Sequence, residues 1–314
     1  MNVFKKTKRM LRYLAIIAFW FILVSDLSAE SLNGRIVYST QHELRIIDLA
    51  QEQTWKKPLS IDLPNTTDMA HHPSWSPDGD EVVFEYTQII NNMNFESKLA
   101  SLDIIDNSVN LIKGFQLARK GNYPKWSPDG KYIAAIEKVG TKMFRDKAGA
   151  IIDQKRFCRL IVSDCRTGRS QDIAGSFADY SPFSWSRDSR KIVYVDSDQT
   201  LIIFDIVEQS SKRLVKGKCP IFGPNGTVYF IDLDAHLYKI DSKKDPVLVD
   251  EGDWNWNRLI AITNDNNNVI FVEGGNFLMM EYSCISLFDL SSLRKQSLSK
   301  RHSIIHGADL FQDN

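Results

Sequence analysis

The stretch Asn122–Glu137, NYPKWSPDGKYIAAIE, contains a short motif that decides the fold. Tyr123–Trp126 has the composition of a short strand, and Lys131–Ile136 has that of a second one. Between them, Ser127–Gly130 (SPDG) is typical of a tight turn, because proline presets φ, aspartate tolerates the next position and glycine accepts a positive φ. The stretch therefore predicts a β-hairpin.

The hairpin motif recurs along the chain, so the fold is expected to be repetitive. It returns at His71–Tyr86 (HHPSWSPDGDEVVFEY) and, weakened, at Tyr180–Val195 and Cys219–Phe230. A second pattern, an apolar run that ends in aspartate, occurs six times at intervals of 36 to 61 residues, at Asp48, Asp103, Asp164, Asp205, Asp241 and Asp289. Each interval is long enough for four short strands, which predicts an all-β, six-bladed β-propeller of four-stranded antiparallel blades.

The two ends of the propeller region are expected to meet in one blade. Gly34 is followed directly by RIVYST, a run of the second-strand type, so the first blade lacks an inner strand. Ser303–His306, after the sixth blade, would supply that strand and close the ring, which leaves no open sheet edge. The third blade carries an insertion, Gly140–Arg156, that could hold a helical turn or an extra hairpin.

The repeat WSPDG, followed by an apolar strand and then by a strand ending in aspartate, resembles the WD40-like repeat of TolB-type propellers. The resemblance covers residues 34–310, with strong matches at Trp75–Gly79 and Trp126–Gly130 and a partial match at Trp185–Ser189. TolB-type proteins carry an α/β domain before the propeller, whereas Glu30–Asn33 alone separate the N-terminal segment from the first strand here. The resemblance therefore implies the propeller without a role in the Tol–Pal system.

The N-terminal segment has the pattern of a secretory signal. Five basic residues between Lys5 and Arg12 precede the apolar run Tyr13–Val24, and Ser25–Glu30 follows. Twelve apolar residues are few for a membrane span, although an uncleaved anchor stays an alternative. We expect residues 1–29 to be a signal peptide or N-terminal membrane anchor. Residues 30–314 would then be a single exported propeller domain, periplasmic or anchored so that it faces the periplasm.

The net charge and the cysteine positions limit the classes of partner and the disulfides that the protein can have. Residues 30–314 contain 34 basic and 38 acidic residues, a net charge of −4, which does not match nucleic acid as a partner. Cys158 and Cys165 would lie about 20 Å apart along one strand, too far for a disulfide. Cys219 and Cys284 fall in different repeats, so buried free thiols are expected. No cofactor is expected.

No motif of a serine hydrolase, a zinc protease, a phosphate loop or an EF-hand occurs, so no catalytic residue is assigned. The segment DLDAH holds Asp232, Asp234 and His236, which are weak metal candidates. Their simpler interpretation is a tight hairpin turn, and we expect no bound metal. The tryptophans of the repeat are expected to pack between blades; they are Trp75, Trp126 and Trp185.

The two faces of the predicted ring differ in their loops. The turns between first and second strands are short and alike, whereas the opposite face carries the longer, variable segments and several aromatic residues. Binding residues concentrate in variable loops on a rigid scaffold. We expect the binding surface on that loop-rich face, at Trp254, Trp256, Tyr180, Tyr123 and His71. In the alternative, Trp254 and Trp256 plug the ring between the fifth and sixth blades.

These features favour an exported, non-catalytic propeller that binds an envelope protein or polymer. Membrane contact is expected only if the N-terminal segment stays uncleaved. The alternative is a propeller enzyme, a lyase or hydrolase that acts on a saccharide or lactone at the channel mouth. His72 and His306, on the inner strands of neighbouring blades, are its channel candidates, with His71, Asp232, Asp234 and His236 as further parts.

Overall fold

A computed structural model shows a chain whose strands form six four-stranded antiparallel sheets, the blades of a β-propeller. It describes residues 33–40, 43–50, 59–63, 68–91, 94–106, 108–111, 121–146, 149, 151–177, 182–241, 244–254, 257–277, 280–299, 302, 305 and 307–312. Within these ranges, no helix is long and apolar enough to cross a bilayer. The sheets all belong to the unit Gly34–Asn314. The predicted six-bladed fold is confirmed.

Each blade is an up-and-down meander that begins at the central channel and ends at the rim. In this order, the strands of blades 1 to 3 are β24 (Gly307–Phe311), β1 (Arg35–Ser39), β2 (Glu43–Asp48) and β3 (Leu59–Asp62); β4 (Met69–Trp75), β5 (Glu81–Asn91), β6 (Asn94–Asp103) and β7 (Ser108–Leu111); and β8 (Gly121–Trp126), β9 (Tyr132–Arg145), β10 (Ile151–Asp164) and β11 (Ser170–Phe177).

The strands of blades 4 to 6 follow the same order. They are β12 (Ser184–Trp185), β13 (Lys191–Val195), β14 (Thr200–Asp205) and β15 (Ser210–Lys216); β16 (Lys218–Phe222), β17 (Val228–Ile231), β18 (Leu237–Ile240) and β19 (Val247–Asp250); and β20 (Arg258–Ile262), β21 (Asn268–Phe277), β22 (Met280–Asp289) and β23 (Arg294–Ser297). The innermost strands contact one another in five of the six pairs of neighbouring blades, and the Trp185 indole donates to the carbonyl of Lys125 in the sixth, so these strands surround the channel.

The ring is closed by the C-terminal strand, as predicted, but the predicted position of that strand was wrong. The closing strand is β24, which pairs with β1 from Arg35↔Phe311 to Ser39↔Gly307. Of the predicted run Ser303–His306, Ile305 alone is described, and it is a buried residue outside any strand whose N–H donates to Ser283 Oγ at 2.7 Å. Ser303, Ile304 and His306 lie outside the described residues.

One cationic side chain ties the closing strand to the next blade. The Arg35 guanidinium lies 4.7 Å from the ring centre of Trp75 and 4.8 Å from that of Phe311. Its Nη2 also donates to the carbonyl oxygen of Gly79 at 2.9 Å. Cation–π contacts and a charged hydrogen bond therefore join the start of the propeller, its end and the first SPDG turn.

The core consists of the interfaces between neighbouring blades. Each large hydrophobic cluster joins residues of two successive blades, because a blade packs both of its faces against neighbours. Trp75 and Trp185 belong to these clusters and are buried, in agreement with the sequence expectation, whereas Trp126 is only partly buried. The second strands are accordingly apolar on both faces, as Val82, Val83 and Phe84 show with no exposed surface. All four cysteines are free.

Three blades extend their second and third strands far beyond the turn that the others make. The hairpins β5–β6, β9–β10 and β21–β22 stay paired as far as Asn91↔Asn94, Arg145↔Ile151 and Phe277↔Met280. The described residues of the insertion Gly140–Arg156 therefore lengthen the existing β9–β10 hairpin, where the sequence predicted a helical turn or an extra hairpin.

Candidate functional site

A cavity of 390 Å³ opens on the channel axis, at the end of the ring that carries the turns between first and second strands. All six innermost strands reach it at their C-terminal ends. The lining residues lie within Ser74–Pro77, Lys125–Pro128, Ser184–Arg187, Phe222–Pro224, Ile260–Asn264 and Asp309–Gln312. We call this opening the channel mouth.

Strand register places the lining residues at equivalent positions of the repeat. The wall position, at the strand end, holds Trp75, Trp126, Trp185, Phe222, Ile262 and Leu310. The floor position, one residue deeper, holds Ser74, Lys125, Ser184, Ile221, Ala261 and Asp309, of which Ile221 is buried and does not line the cavity. The rim position, two residues after the wall, holds Pro77, Pro128, Arg187, Pro224, Asn264 and Gln312. The mouth is thus a layered funnel, and the wall side chains of Trp75, Trp185 and Ile262 are largely buried between blades.

Side chains at the floor position join adjacent blades. The backbone N–H of Trp126 donates to Ser74 Oγ at 3.3 Å, and that of Phe222 donates to Ser184 Oγ at 3.1 Å. The N–H of Trp75 donates in the same way to Asp309 Oδ2 at 3.0 Å. The inner edge of a blade carries backbone amides that no further strand can bond, and these side chains satisfy three of them.

Asp309 and Lys125 break the pattern of small and apolar floor residues. Asp309 Oδ2 accepts a second hydrogen bond from Ser74 Oγ at 2.9 Å, and Lys125 Nζ lies 3.6 Å from Asp309 Oδ1. This ion pair crosses over blade 2, since the two residues stand on blades 1 and 3. The main chain of Lys125 is held separately, because its carbonyl oxygen accepts from Trp185 Nε1 at 3.2 Å.

The turns around the mouth are held rigid by their own side chains. In the first SPDG turn, Ser76 Oγ donates to Asp78 Oδ1 at 2.5 Å, and the N–H of Asp80 donates to the same oxygen at 3.2 Å. These two hydrogen bonds lower the pKa of Asp78 below its usual value. The hydroxyls of Ser127 and Ser186 hold Asp129 and Asp188 in the same way. The turn aspartates therefore stabilise the backbone of the turns, as the sequence predicts.

The residues of the predicted loop-rich face lie at the opposite end of the channel, where the structure describes them. His71 and His72 stand near the start of β4, and Tyr123 stands near the start of β8. Trp254 has no exposed surface and packs on Phe271 and Phe288 between blades 5 and 6. This placement matches the alternative in which Trp254 plugs the ring, and its indole is not accessible to a partner. Trp256, Tyr180 and His306 lie outside the described residues.

His72 and Tyr123 occupy equivalent bulges on adjacent inner strands. Both have a positive φ, 51° and 56°, and the strand register shifts at each of them. Their rings stack with centroids 3.5 Å apart. Such conformations are costly for residues other than glycine, and a bulge re-aims the side chain that it carries. The two rings therefore meet each other across adjacent inner strands, and Tyr123 also packs against the hydrophobic cluster between blades 3 and 4.

The DLDAH segment is a hairpin turn between β17 and β18. The N–H of Asp232 donates to the carbonyl oxygen of His236 at 3.0 Å, and Asp232 Oδ1 accepts from the N–H groups of Asp234 and His236 at 3.0 and 2.8 Å. The Asp234 side chain is exposed. Throughout the described part of the chain, no group of three His, Cys, Asp or Glu side chains is placed to hold a metal ion. The turn interpretation of this segment is confirmed.

Sequence reasoning did not identify Lys125, Arg187 and Asp309 as lining residues. For two of them a signal was present: Lys125 stands where the other strong repeat has Ser74, and Arg187 stands where both strong repeats have proline. Asp309 could not be found in this way, because the closing strand has Leu310 in place of the tryptophan that aligns the repeats.

Comparisons with known proteins agree on the fold. No family model matches the chain, and no curated protein matches it in sequence. Among solved structures, TolB from Acinetobacter baumannii is similar with a TM-score of 0.62 and 14% identity, over 89% of this chain and 67% of that one. A chain of a nidogen–laminin complex is similar with a TM-score of 0.60 and 8% identity, over 88% of this chain and 98% of that one.

The β-propeller domain of the Trilobed protease from Pyrococcus furiosus has a TM-score of 0.46 and 15% identity, over 73% of this chain and 70% of that one. The first two likenesses concern the course of the backbone, since so low an identity carries no site residues from one chain to another. Strand order and blade number identify the fold as a six-bladed β-propeller, and its backbone is similar to that of TolB.

Proposed function

We propose that the protein is an exported, non-catalytic β-propeller that binds a protein or polymer partner at the cell envelope, and that the partner enters the channel mouth. The proposal has two parts, a binding role and a location, and they have separate support.

The lining of the channel mouth carries the binding role. Its surface is mostly polar, and several of the polar groups are fixed by hydrogen bonds or by an ion pair, which suits recognition of polar groups on a ligand. Among its described residues, the carboxylate is that of Asp309, which already accepts two hydrogen bonds and faces an ammonium group. These contacts join the closing strand to blades 2 and 3, so the carboxylate already has a structural role. The arrangement therefore supports recognition better than acid–base chemistry.

The predicted signal in residues 1–29 supports the location. The basic residues and the apolar run Tyr13–Val24 have the order of an export signal, and a net charge of −4 in the rest of the chain gives no match to nucleic acid. If the segment is retained, it would anchor the propeller at a membrane. One chain of similar fold belongs to a nidogen–laminin complex, so a propeller of this shape occurs in a protein assembly.

A mouth-blocking variant tests the binding role. Asn264 is an exposed rim residue, so Asn264→Trp would fill the mouth without changing its charge. Leu233→Trp, at a 52% exposed residue in the β17–β18 turn of the opposite face, is the matched control. We expect crosslinking in the native envelope to capture a partner with the parent protein and with Leu233→Trp, but not with Asn264→Trp. The reverse pattern would instead support the loop-rich face.

The enzyme alternative has its own test. A panel of saccharides and lactones is incubated with the purified protein and with Asp309→Asn. Turnover that the parent shows and Asp309→Asn lacks would replace the binding proposal by the enzymatic one.

A further inference from the structure

We propose that the extended β9–β10 hairpin of blade 3 is a membrane-contact surface, which docks on the anionic headgroups of a phospholipid bilayer. The hairpin projects from the end of the ring opposite the channel mouth, so this inference is separate from the partner proposed for the mouth. It also does not require that the N-terminal segment is retained.

The outer part of this hairpin extends beyond the other strands of its blade. Within the described residues, β8 pairs with β9 only as far as Glu137, and β11 pairs with β10 only as far as Cys158. β9 and β10 then continue together, and we call these two segments, Lys138–Arg145 and Ile151–Phe157, the ribbon. The eight residues on its β9 side span roughly 25 Å at the rise of an antiparallel strand.

The ribbon is basic, although the domain that carries it is acidic. It contains five basic residues and one acidic residue, a net charge of +4, whereas residues 30–314 together have a net charge of −4. The rest of the domain therefore has a net charge of −8. Positive charge concentrated on one projecting element favours an anionic partner, and polybasic segments bind anionic lipid headgroups. The basic residues are Lys138, Lys142, Arg145, Lys155 and Arg156, and the acidic one is Asp153.

Two of these basic residues stand directly opposite each other in the ribbon. Lys142 pairs with Lys155, and residues opposite each other in an antiparallel pair share one sheet face. Like charges in this position destabilise the pairing, and an anionic ligand removes that repulsion. Arg156, one residue further along β10, stands on the other face. Basic residues on both faces suit a ribbon that meets a charged surface with its end.

Exposed apolar side chains on the ribbon favour a bilayer over a soluble anion. Val139 is 61% exposed and Met143 is 50% exposed, and both stand on β9 among the basic residues. A membrane interface binds both kinds of side chain, because the headgroups attract cations while the boundary with the acyl chains takes up apolar groups. A free phosphate offers only the first of these interactions.

The long hairpins of blades 2 and 6 project from the same end of the ring, and apolar residues recur near the ends of both. A bilayer is a surface broad enough to meet all three hairpins at once. The apolar residues are Ile89, Ile90 and Phe95 in blade 2 and Phe277, Met280 and Tyr282 in blade 6.

The experiment follows hydrogen exchange by mass spectrometry in the full-length protein, because this readout locates a contact along the chain. The protein is mixed with vesicles of phosphatidylcholine and phosphatidylglycerol, or with vesicles of phosphatidylcholine alone. Glycerol phosphate and polyglutamate, at the same negative charge, represent a soluble phosphate and an acidic polypeptide. Vesicle flotation measures the apparent affinity.

Two double variants test the charges. Lys142→Gln with Lys155→Gln removes the facing cations, whereas Lys131→Gln with Lys244→Gln removes two exposed cations at the mouth end of the ring. We expect the parent to bind the anionic vesicles with protection of the ribbon. The ribbon variant should weaken that binding about tenfold or more, and the control should leave it unchanged. Because the ribbon variant loses a repulsion, it should melt no lower than the parent.

A pair of single variants tests the apolar contact. Met143→Ser should weaken binding to the anionic vesicles about threefold. Val207→Ser, at a 68% exposed residue of the mouth end, should leave it unchanged. Both positions are exposed, so neither variant should disturb folding.

Four results would overturn the inference. Vesicle binding that leaves the ribbon unprotected would assign the contact to another part of the chain, such as residues 1–29. Equal protection by phosphatidylcholine alone, by glycerol phosphate or by polyglutamate would exclude anionic lipid as the partner. Protection that appears without vesicles and grows with protein concentration would assign the ribbon to a second copy of the chain. The fourth is a lack of binding to the anionic vesicles, and each of these results leaves the proposed function of the channel mouth unchanged.

Discussion

At the scale of single residues, Glu85 is a buried carboxyl group whose environment shifts its pKa well away from the usual value. It lies on β5, opposite His71 and Leu99 in the strand register, and is 8% exposed. Leu99 packs on Ala135 and Ile161 of blade 3, so the same sheet face is an apolar blade interface. Burial raises the pKa of Glu85 to about 7, against a smaller lowering by a hydrogen bond from Ser97.

This shift predicts that stability falls as pH rises. The folded pKa of Glu85 lies above the unfolded value of 4.5. The neutral carboxyl therefore makes its full contribution to the free energy of unfolding below pH 4.5, and that contribution is lost as the pH rises to about 7. Full ionisation costs on the order of 3 kcal/mol. Glu85→Gln removes that cost, and at pH 8 we expect its melting temperature to exceed the parent's by about 5 °C, with no difference near pH 4.

The control for Glu85 is Glu208→Gln, at a carboxylate whose side chain is 66% exposed, which should change little at either pH. A Glu85→Gln protein no more stable than the parent at pH 8 would show that the carboxyl is solvated in solution.

Gly79 gives a second prediction at this scale. It has φ +74°, and an added Cβ would lie 2.4 Å from Arg35 Nη2 and 2.6 Å from Phe311 Cζ. Gly130 has the same turn position and φ +71°, but its Cβ would meet Pro77 at 3.6 Å. Gly130→Ala should cost about 1 kcal/mol for the backbone conformation. Gly79→Ala should cost roughly 2 kcal/mol more, because Arg35 must leave its contacts.

Chemical denaturation of the two glycine variants measures this difference. Equal losses of stability would mean that Arg35 contributes nothing to closure. A larger loss of unfolding free energy in Gly79→Ala would show that the Arg35 guanidinium stabilises the contact between the two ends of the propeller.

At the scale of secondary-structure elements, β24 matters most, because it is the only strand of blade 1 that comes from the far end of the chain. Five residue pairs join it to β1, and Asp309 bonds the main chain and side chain of blade 2. Truncation after His306 removes all of these contacts and exposes an inner edge. We expect the melting temperature to fall by roughly 10 °C or more.

The matched control removes Asp313 and Asn314 alone, which leaves β24 intact and should not change the melting temperature. A truncation after His306 that melts with the parent would contradict closure by β24.

At the scale of the whole molecule, protection from hydrogen exchange should be greatest in the middle strands of the blades and least in the outermost strands. Every residue of β14 and β17 is buried, whereas every residue of β23 is exposed. An outermost strand is hydrogen-bonded on one side alone and opens without the rest of the blade. We expect hydrogen exchange to be slowest in β14 and β17 and fastest in β23, with opening free energies that differ by roughly 2 kcal/mol or more.

Hydrogen–deuterium exchange read by mass spectrometry resolves these segments. Equal protection of β23 and β17 would mean that a blade opens only when the whole ring does, and so would contradict the gradient.

Local chemistry decided most of the architecture before any contact was known. The sequence SPDG favours a tight turn, which gives the positions of the hairpins. The strands beside it are apolar on both faces because blades stack, and counting their repeats gives the number of blades. The closing strand was misplaced by several residues because β24 lacks both the tryptophan that marks the inner strands of blades 2, 3 and 4 and the tight turn that follows it there. Its register is imposed by pairing with β1, an interaction between the two ends of the chain.

The candidate site belongs to the tertiary structure. Lys125, Arg187 and Asp309 are far apart in sequence and become neighbours only because six inner strands converge on one axis. The face of near-identical turns looked unspecific from sequence, since repetition hides the few positions at which single blades depart from it. The ring brings the residues that differ from the repeat to one cavity. Their ion pair depends on distances between blades, which no local sequence pattern encodes.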